Sequence, residues 1–193
     1  MVKDIKKNLE RHIEVVQALC ADETQLENIQ KSIEVSLESL KAGKKLLFCG
    51  NGGSASDSQH LATELTIRFI GDRPAIAAIA LTTDTSALTA AGNDIGFDRV
   101  FSRQVEALGQ EGDVLMAFST SGNSANIVKA VEEAQARGMK VVFFGGGTGG
   151  KIAGMADVSL IVPSKITAHI QECHILIGHI LCGGIESGLG YAD

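Results

Sequence analysis

Apolar residues recur at steps of three and four over the first forty positions. Ile5, Leu9, Ile13, Val16 and Leu19 form one set, and Leu26, Ile29, Ile33, Leu37 and Leu40 form a second. That spacing predicts two amphipathic helices, whose apolar faces either cover a sheet or serve in subunit assembly. After "KAGKK" the texture changes to short, continuous apolar runs: "KLLFCG", "AIAAIALT", "DVLMAFST", "KVVFFGG" and "VSLIVPS". Runs without alternation predict strands buried on both faces of a parallel sheet. Helical stretches are predicted between and after them, over Ser54–Phe69, Asp98–Leu108, Ser124–Arg137 and Thr167–Leu189. The alternation describes an α/β, doubly wound, three-layer sandwich with a central parallel sheet, preceded by helices over 1–42. There is no internal repeat, linker or low-complexity tract, so residues 1–193 are expected to form one domain.

Composition narrows the function classes. Of the 193 residues 45% are hydrophobic, and the formal charge of −6 comes with scattered basic residues. That pattern argues against disorder and against a nucleic-acid partner. The N-terminal "MVKDIKKNLERHIE" lacks an apolar signal core, and His179 interrupts the longest apolar candidate, "ILIGHILCGGI". Cys20, Cys49, Cys173 and Cys182 lack CxxC spacing, which fits reduced thiols. A cytoplasmic protein without a membrane partner is expected.

Two glycine loops imitate nucleotide sites. "GNGGSA" (50–55) matches a dinucleotide fingerprint, but Asp72, near the required acidic spacing, sits in the turn "GDRP". "GGGTGGKI" (145–152) nearly spells a P-loop, but Ile152 stands where Ser or Thr would hold magnesium. No nucleotide cofactor is expected, and the second loop reads as a structural turn.

The serine loop "STSGNS" (119–124) is different. Ser119, Thr120, Ser121 and Ser124 place four hydroxyls just ahead of a helix N-terminus, which offers free N–H groups and a positive dipole end. Ordinary capping by Ser124 or Asn123 would use one of these side chains. Four in six positions suit a phosphate, which Ser54 could approach from the neighbouring strand's loop. One phosphate without a nucleotide motif points to a sugar phosphate. In "CGNGGSASDSQHLATEL", His60 and Glu64 lie four apart on one helix face. His179 lies eight beyond Gln171 and seven beyond Glu172, and the spacing alone favours Glu172 as its partner.

"CGNGGSASDSQHLATEL", "ALTTDTSALTAAGND", "FSRQVEALGQEGDVL", "STSGNSANIVKAVEEA" and "IQECHILIGHILC" together resemble the phosphoheptose isomerases, enzymes of the sugar-isomerase (SIS) domain class. The resemblance implies a flavodoxin-like sheet and a homotetramer with active sites between subunits. It implies conversion of sedoheptulose 7-phosphate to D-glycero-D-manno-heptose 7-phosphate, the entry to lipopolysaccharide-core heptose. By the same resemblance Ser54, Ser119, Thr120, Ser121 and Ser124 contact phosphate. Asn51, Gly52, Gly53, Arg68, Asn93, Asp94 and Gln171 line the sugar, and Glu64 and His179 carry the proton chemistry. A zinc ion is implied between His60, Glu64, Gln171 and His179, and it is the resemblance that selects Gln171. His169 replaces an arginine common before "IQE" in the family. A second class on this fold binds a replication initiator and lacks residues of the catalytic pair; both Glu64 and His179 are present here.

Overall fold

Strand formation starts where the apolar runs start. A computed structural model describes residues 1–191, so positions 192 and 193 of the expected domain lie outside the described residues. Five parallel strands form one sheet: β1 (Leu46–Cys49), β2 (Ala78–Ala80), β3 (Val114–Phe118), β4 (Lys140–Gly146) and β5 (Val158–Val162). Their order is β2-β1-β3-β4-β5, the flavodoxin-like order. The central strands are buried on both sides, as continuous apolar runs require. β2 keeps only three residues of "AIAAIALT", and at the other edge β5 alternates between buried and half-buried positions. Edge strands need one less buried neighbour, so their apolar runs overstate the paired length.

The two sheet faces collect different helices. Leu46, Phe48, Met116, Phe118, Val142 and Phe144 point to a core completed by α2 (Glu23–Lys41), α3 (Gly53–Thr66) and α7 (Thr167–Gly188). Leu47, Cys49, Leu115, Ala117, Val141 and Phe143 point the other way, onto α5 (Ser102–Leu108) and α6 (Ala125–Ala136). At the base of the sheet the buried Asp113 accepts from the Lys45 N–H at 3.0 Å and from Lys45 Nζ at 2.6 Å, pinning the start of β1 beside β3.

The helices differ from the expected ones in one place and add to them in two others. α4 (Thr85–Asp94) is a further helix with no buried residue, and so it has no apolar stripe to betray it. The helix expected over Asp98–Leu108 is a short 3-10 turn, Phe97–Arg99, followed by α5. α1 (Val2–Cys20) forms as predicted, but its stripe mostly misses the sheet: Ile5, Leu9 and Ile13 are 56%, 61% and 53% exposed, and only Leu19 is buried.

Glycines in α7 bring it close to its neighbours. A Cβ at Gly178 would lie 2.5 Å from Leu61 Cδ1 of α3, and one at Gly184 would lie 2.5 Å from Ile33 of α2. Gly178 and Leu61 each adjoin a histidine in sequence, so this contact sets the distance between His179 and His60.

Candidate active site

The strand order reverses between β1 and β3, and in open α/β sheets ligands bind outside the C-terminal strand ends at such a point. β1 runs into the glycine loop and β3 into the serine loop, with Cys49 paired to Ala117. The two loops are laced together by a reciprocal amide pair: Asn51 Nδ2 donates to Asn126 Oδ1 at 2.9 Å, and Asn126 Nδ2 donates to Asn51 Oδ1 at 2.8 Å. The structure thus commits the Asn51 side chain to a protein partner. Asn126, 3% exposed at the start of α6, was missed because its partner is 75 positions away.

The serine loop has the build of an anion cradle. Ser124 holds the N-cap position of α6 but makes no side-chain cap, and its hydroxyl lies 3.1 Å from Ser119 Oγ instead. The free first-turn N–H groups and the dipole therefore face the loop. Asn123 is engaged locally, its amide donating to the Ser121 carbonyl at 2.8 Å. Gly122 has φ +63°, and a Cβ there would stand 1.9 Å from the Gly149 carbonyl oxygen. The loop after β4 thus packs directly behind the serine loop, as the structural-turn reading requires. Lys151 contributes its backbone N–H to the Gly122 carbonyl at 3.0 Å. A cavity of about 580 Å³ joins Thr120 and Ser121 to Thr167 and Ile170 at the start of α7, with Lys165 on its wall. Ser54 is buried at 6% exposure in the first turn of α3, where Gly52, with φ +57°, starts the helix.

α3 and α7 bring together a second group of side chains. His60 Nε2 lies 2.9 Å from His179 Nε2 and 3.1 Å from Glu64 Oε1. One donor atom from each of His60, Glu64 and His179 lies within 4.8 Å of the others. Phe69 stacks on the His179 ring, with centroids 5.5 Å apart and planes 17° from parallel. Two imidazole nitrogens and one carboxylate oxygen form a donor set that suits zinc. Without metal, one imidazole N–H must serve as donor between the two rings.

Gln171 packs against the first turn of α3. Its Nε2 donates to Asp57 Oδ1 at 2.6 Å, which leaves the amide oxygen as its free polar atom. The Gln171 side chain lies over Gly53, where a Cβ would meet Cγ at 3.3 Å. Asp57 is 4% exposed, and burial pushes its carboxyl up to about 6 against the Gln171 hydrogen bond and the His60 charge, which pull it down. Its place three residues before His60, on the same helix face, was a signal available in the sequence. Glu172, the partner favoured by spacing, turns away: its Oε2 lies 3.0 Å from His12 Nδ1 of α1. His169 also turns toward α1, 3% exposed, with Nε2 3.3 Å from Asn8 Oδ1.

Three expected sugar contacts are exposed. Arg68 is exposed just beyond α3, and Asn93 and Asp94 are exposed at the end of α4. Asn93 Nδ2 donates to Asp94 Oδ1 at 2.7 Å, and Asp94 lines a separate cavity with Arg103. Among the described residues, Asn93 and Asp94 make no hydrogen bond with the serine loop or the histidine cluster.

An uncapped hydroxyl loop and a histidine–glutamate cluster at one switch point now invite comparison with known proteins. The model of the SIS domain family matches residues 11–146. A phosphoheptose isomerase of Burkholderia pseudomallei is 51% identical over 175 residues, covering 91% of this chain and 89% of the relative. The chain belongs to the phosphoheptose isomerase family. The solved phosphoheptose isomerase of Neisseria gonorrhoeae is 48% identical, with a TM-score of 0.89 over 96% of this chain and 98% of that one. That of Francisella tularensis is 40% identical, with a TM-score of 0.93 over the same shares. The protein is accordingly an enzyme, an isomerase of a sugar phosphate, with the doubly wound sandwich expected from its strand pattern and the SIS fold implied by the resemblance.

Proposed function

We propose that this phosphoheptose isomerase family member converts sedoheptulose 7-phosphate to D-glycero-D-manno-heptose 7-phosphate, the first step toward ADP-heptose for lipopolysaccharide core. The observation that carries the reading is the convergence of His60, Glu64 and His179 in a fold that also presents an uncapped hydroxyl loop. The loop takes the 7-phosphate through Ser54, Ser119, Thr120, Ser121 and Ser124. Binding there positions the reacting end of the sugar, so remote binding energy serves the chemistry. Asn51, Gly52, Gly53 and Gln171 border the sugar path between the two halves.

Isomerisation removes a proton from C1 of the ketose, passes through an enediolate and returns a proton to C2. Glu64 is the base at carbon, and His179 moves the proton between O1 and O2. The stacked Phe69 ring restricts the orientation of His179. His60, Glu64 and His179 would hold a zinc ion, with the Gln171 amide oxygen as a fourth donor once its side chain reaches the others. Bound zinc would polarise the carbonyl, a role otherwise left to a proton donor. A residue whose lone pair is held by metal has none to offer a proton, so the metal form and the acid–base form divide the work differently.

The whole chain acts as one SIS domain in the cytoplasm, where charged sugar phosphates are retained. It assembles as a homotetramer. The exposed stripe of Ile5, Leu9 and Ile13 supports a subunit contact through α1. Asn93 and Asp94 pair with each other and line a different cavity, which supports a site completed by a neighbouring subunit. Presence of both Glu64 and His179 favours the isomerase over a non-catalytic initiator-binding role.

Turnover of sedoheptulose 7-phosphate by wild type and Glu64→Gln is the test. The substitution keeps the size and removes the base, so kcat should fall at least about 10²-fold. A folded, assembled Glu64→Gln enzyme with the wild-type rate would overturn the assignment. Metal analysis of protein purified without chelator should find about one zinc per chain, and less than about 0.2 would remove zinc from the scheme.

A further inference from the structure

Arg73 lies between α3 and β2, outside the loops and the cluster, and every bond it makes is directed. Nε donates to Glu186 Oε1 of α7 at 2.6 Å. Nη2 donates to the Glu64 backbone carbonyl at 2.6 Å, and Nη1 donates to the carbonyls of Leu65 at 2.7 Å and Pro74 at 3.1 Å. Both ionic side chains are 1% exposed. The second Glu186 oxygen accepts from the Ile70 N–H at 3.4 Å.

Stability alone is a weak reason to bury such a pair. Desolvating two charges offsets most of their attraction, and apolar residues of similar volume often serve as well. What an apolar pair lacks is direction. Arg73 holds the main chain of Glu64 itself, at the C-terminal end of α3, where a cation also complements the helix dipole. Its other bond reaches Glu186, seven residues beyond His179 and therefore two turns along the same face of α7. One guanidinium thus ties the residue that carries the carboxylate to the helix that carries the imidazole.

We propose that Arg73 and Glu186 are positioning residues, a buried tie that fixes how far apart Glu64 and His179 stand. The inference rests on the reading of Glu64 and His179 as the reacting pair. Close packing at Gly178 sets how near the helices come; the tie sets their relative slide and rotation at the far end of the cluster. A displacement of about 1 Å in a reacting group can cost on the order of 10²-fold in rate, so a modest slip suffices.

The deciding variant is Arg73→Met with Glu186→Leu, which replaces the pair by packed apolar side chains and should preserve folding. In this double variant kcat should fall at least about tenfold with KM changed less than about twofold, since the phosphate cradle is untouched. Long-range proton–nitrogen spectra of chelator-treated full-length protein supply a readout independent of turnover. The ring-nitrogen signals of His60 and His179, shifted in wild type by their mutual contact, should move toward those of separate imidazoles. A folded double variant with wild-type kcat and wild-type imidazole signals would overturn the proposal and leave the pair a stabilising role only. If the double variant does not fold, Glu186→Gln is read by the same two measurements. It keeps an acceptor for Arg73 but not the charge, and a smaller change in the same direction is expected, while none would overturn the tie. Should Glu64→Gln keep full activity, the base assignment falls, and the imidazole spectra still decide whether the tie positions the helices.

Discussion

The serine loop and the histidine cluster are built in opposite ways. The loop is made of main chain: glycine torsions, an uncapped helix end, and a neighbouring loop packed where a Cβ would stand 1.9 Å from a carbonyl oxygen. The cluster is made of side chains on two separate helices, and its His60 side chain is 49% exposed. A backbone site is fixed once the fold is made. A side-chain site depends on helix placement, and here that placement rests on Gly178, on the Gln171–Asp57 bond and on Arg73. Substrate capture and proton transfer therefore have separable supports, and the two can be broken one at a time.

The largest effect is expected at the floor that both halves share. His174 on α7 packs against Phe118 and Phe144, with Nε2–H donating to the Gly145 carbonyl at 3.0 Å, and burial pulls its pKa down to about 4. The unfolded chain takes up this proton below about 6.5, while the folded protein resists it until about 4. Stability is thus present above pH 6.5 and is lost as pH falls through that window, by up to about 3 kcal/mol. His174→Gln, which keeps a donor and cannot titrate, should lack this part of the acid sensitivity in denaturant titrations at pH 7 and pH 4. An equal pH dependence in wild type and variant would mean that the floor is wet.

Next comes Gly178→Ala. Its methyl group would meet Leu61 Cδ1 at 2.5 Å, and overpacking of this kind costs about 1–3 kcal/mol. The damage should fall on the cluster alone, with lowered kcat and zinc affinity but unchanged affinity for inorganic phosphate by calorimetry. The reciprocal variant, Ser119→Ala with Ser121→Ala, should lower kcat/KM more than about tenfold, roughly 1.4 kcal/mol, and leave zinc affinity intact. If either variant weakens both ligands equally, the two halves are one unit and the comparison fails. The smallest effect is expected at the lacing between the loops. Asn126→Ala removes both amide bonds to Asn51 and should cost about 1 kcal/mol of stability, with a rise in KM rather than a loss of kcat.

How much of this was legible in the sequence follows the same division. "KLLFCG", "DVLMAF" and "KVVFF" gave the central strands because burial on both faces leaves no room for polar residues. The serine loop was legible because glycine and hydroxyl residues are what such backbone geometry demands. α4 was not legible: "TSALTAAGND" packs no buried residue, so no period reports its helix. His60 and Glu64 could be paired from one helix, but the choice of Gln171 over Glu172 could not be made from spacing. The structure sends Glu172 to His12 and Gln171 to Asp57, and both outcomes depend on how α1 and α3 dock against α7. Asn126 and Arg73 were silent for the same reason, since Arg73 meets Glu186 across 113 positions.

The strand order has a kinetic consequence. β1 must pair with β3 before the glycine and serine loops stand side by side, and that pairing joins Lys45 to Asp113 across 68 positions, over the whole of α3, β2, α4 and α5. Closing so long a loop is slow compared with forming any helix along it, because chain entropy is lost before contacts repay it. The glycine loop can form early, but it has no neighbour to face until the chain has been made past residue 118. During synthesis the emerging chain therefore carries no half-built site able to hold a sugar phosphate. Affinity for the ligand arrives with the central sheet, so ligand present during refolding should slow unfolding without speeding the early collapse.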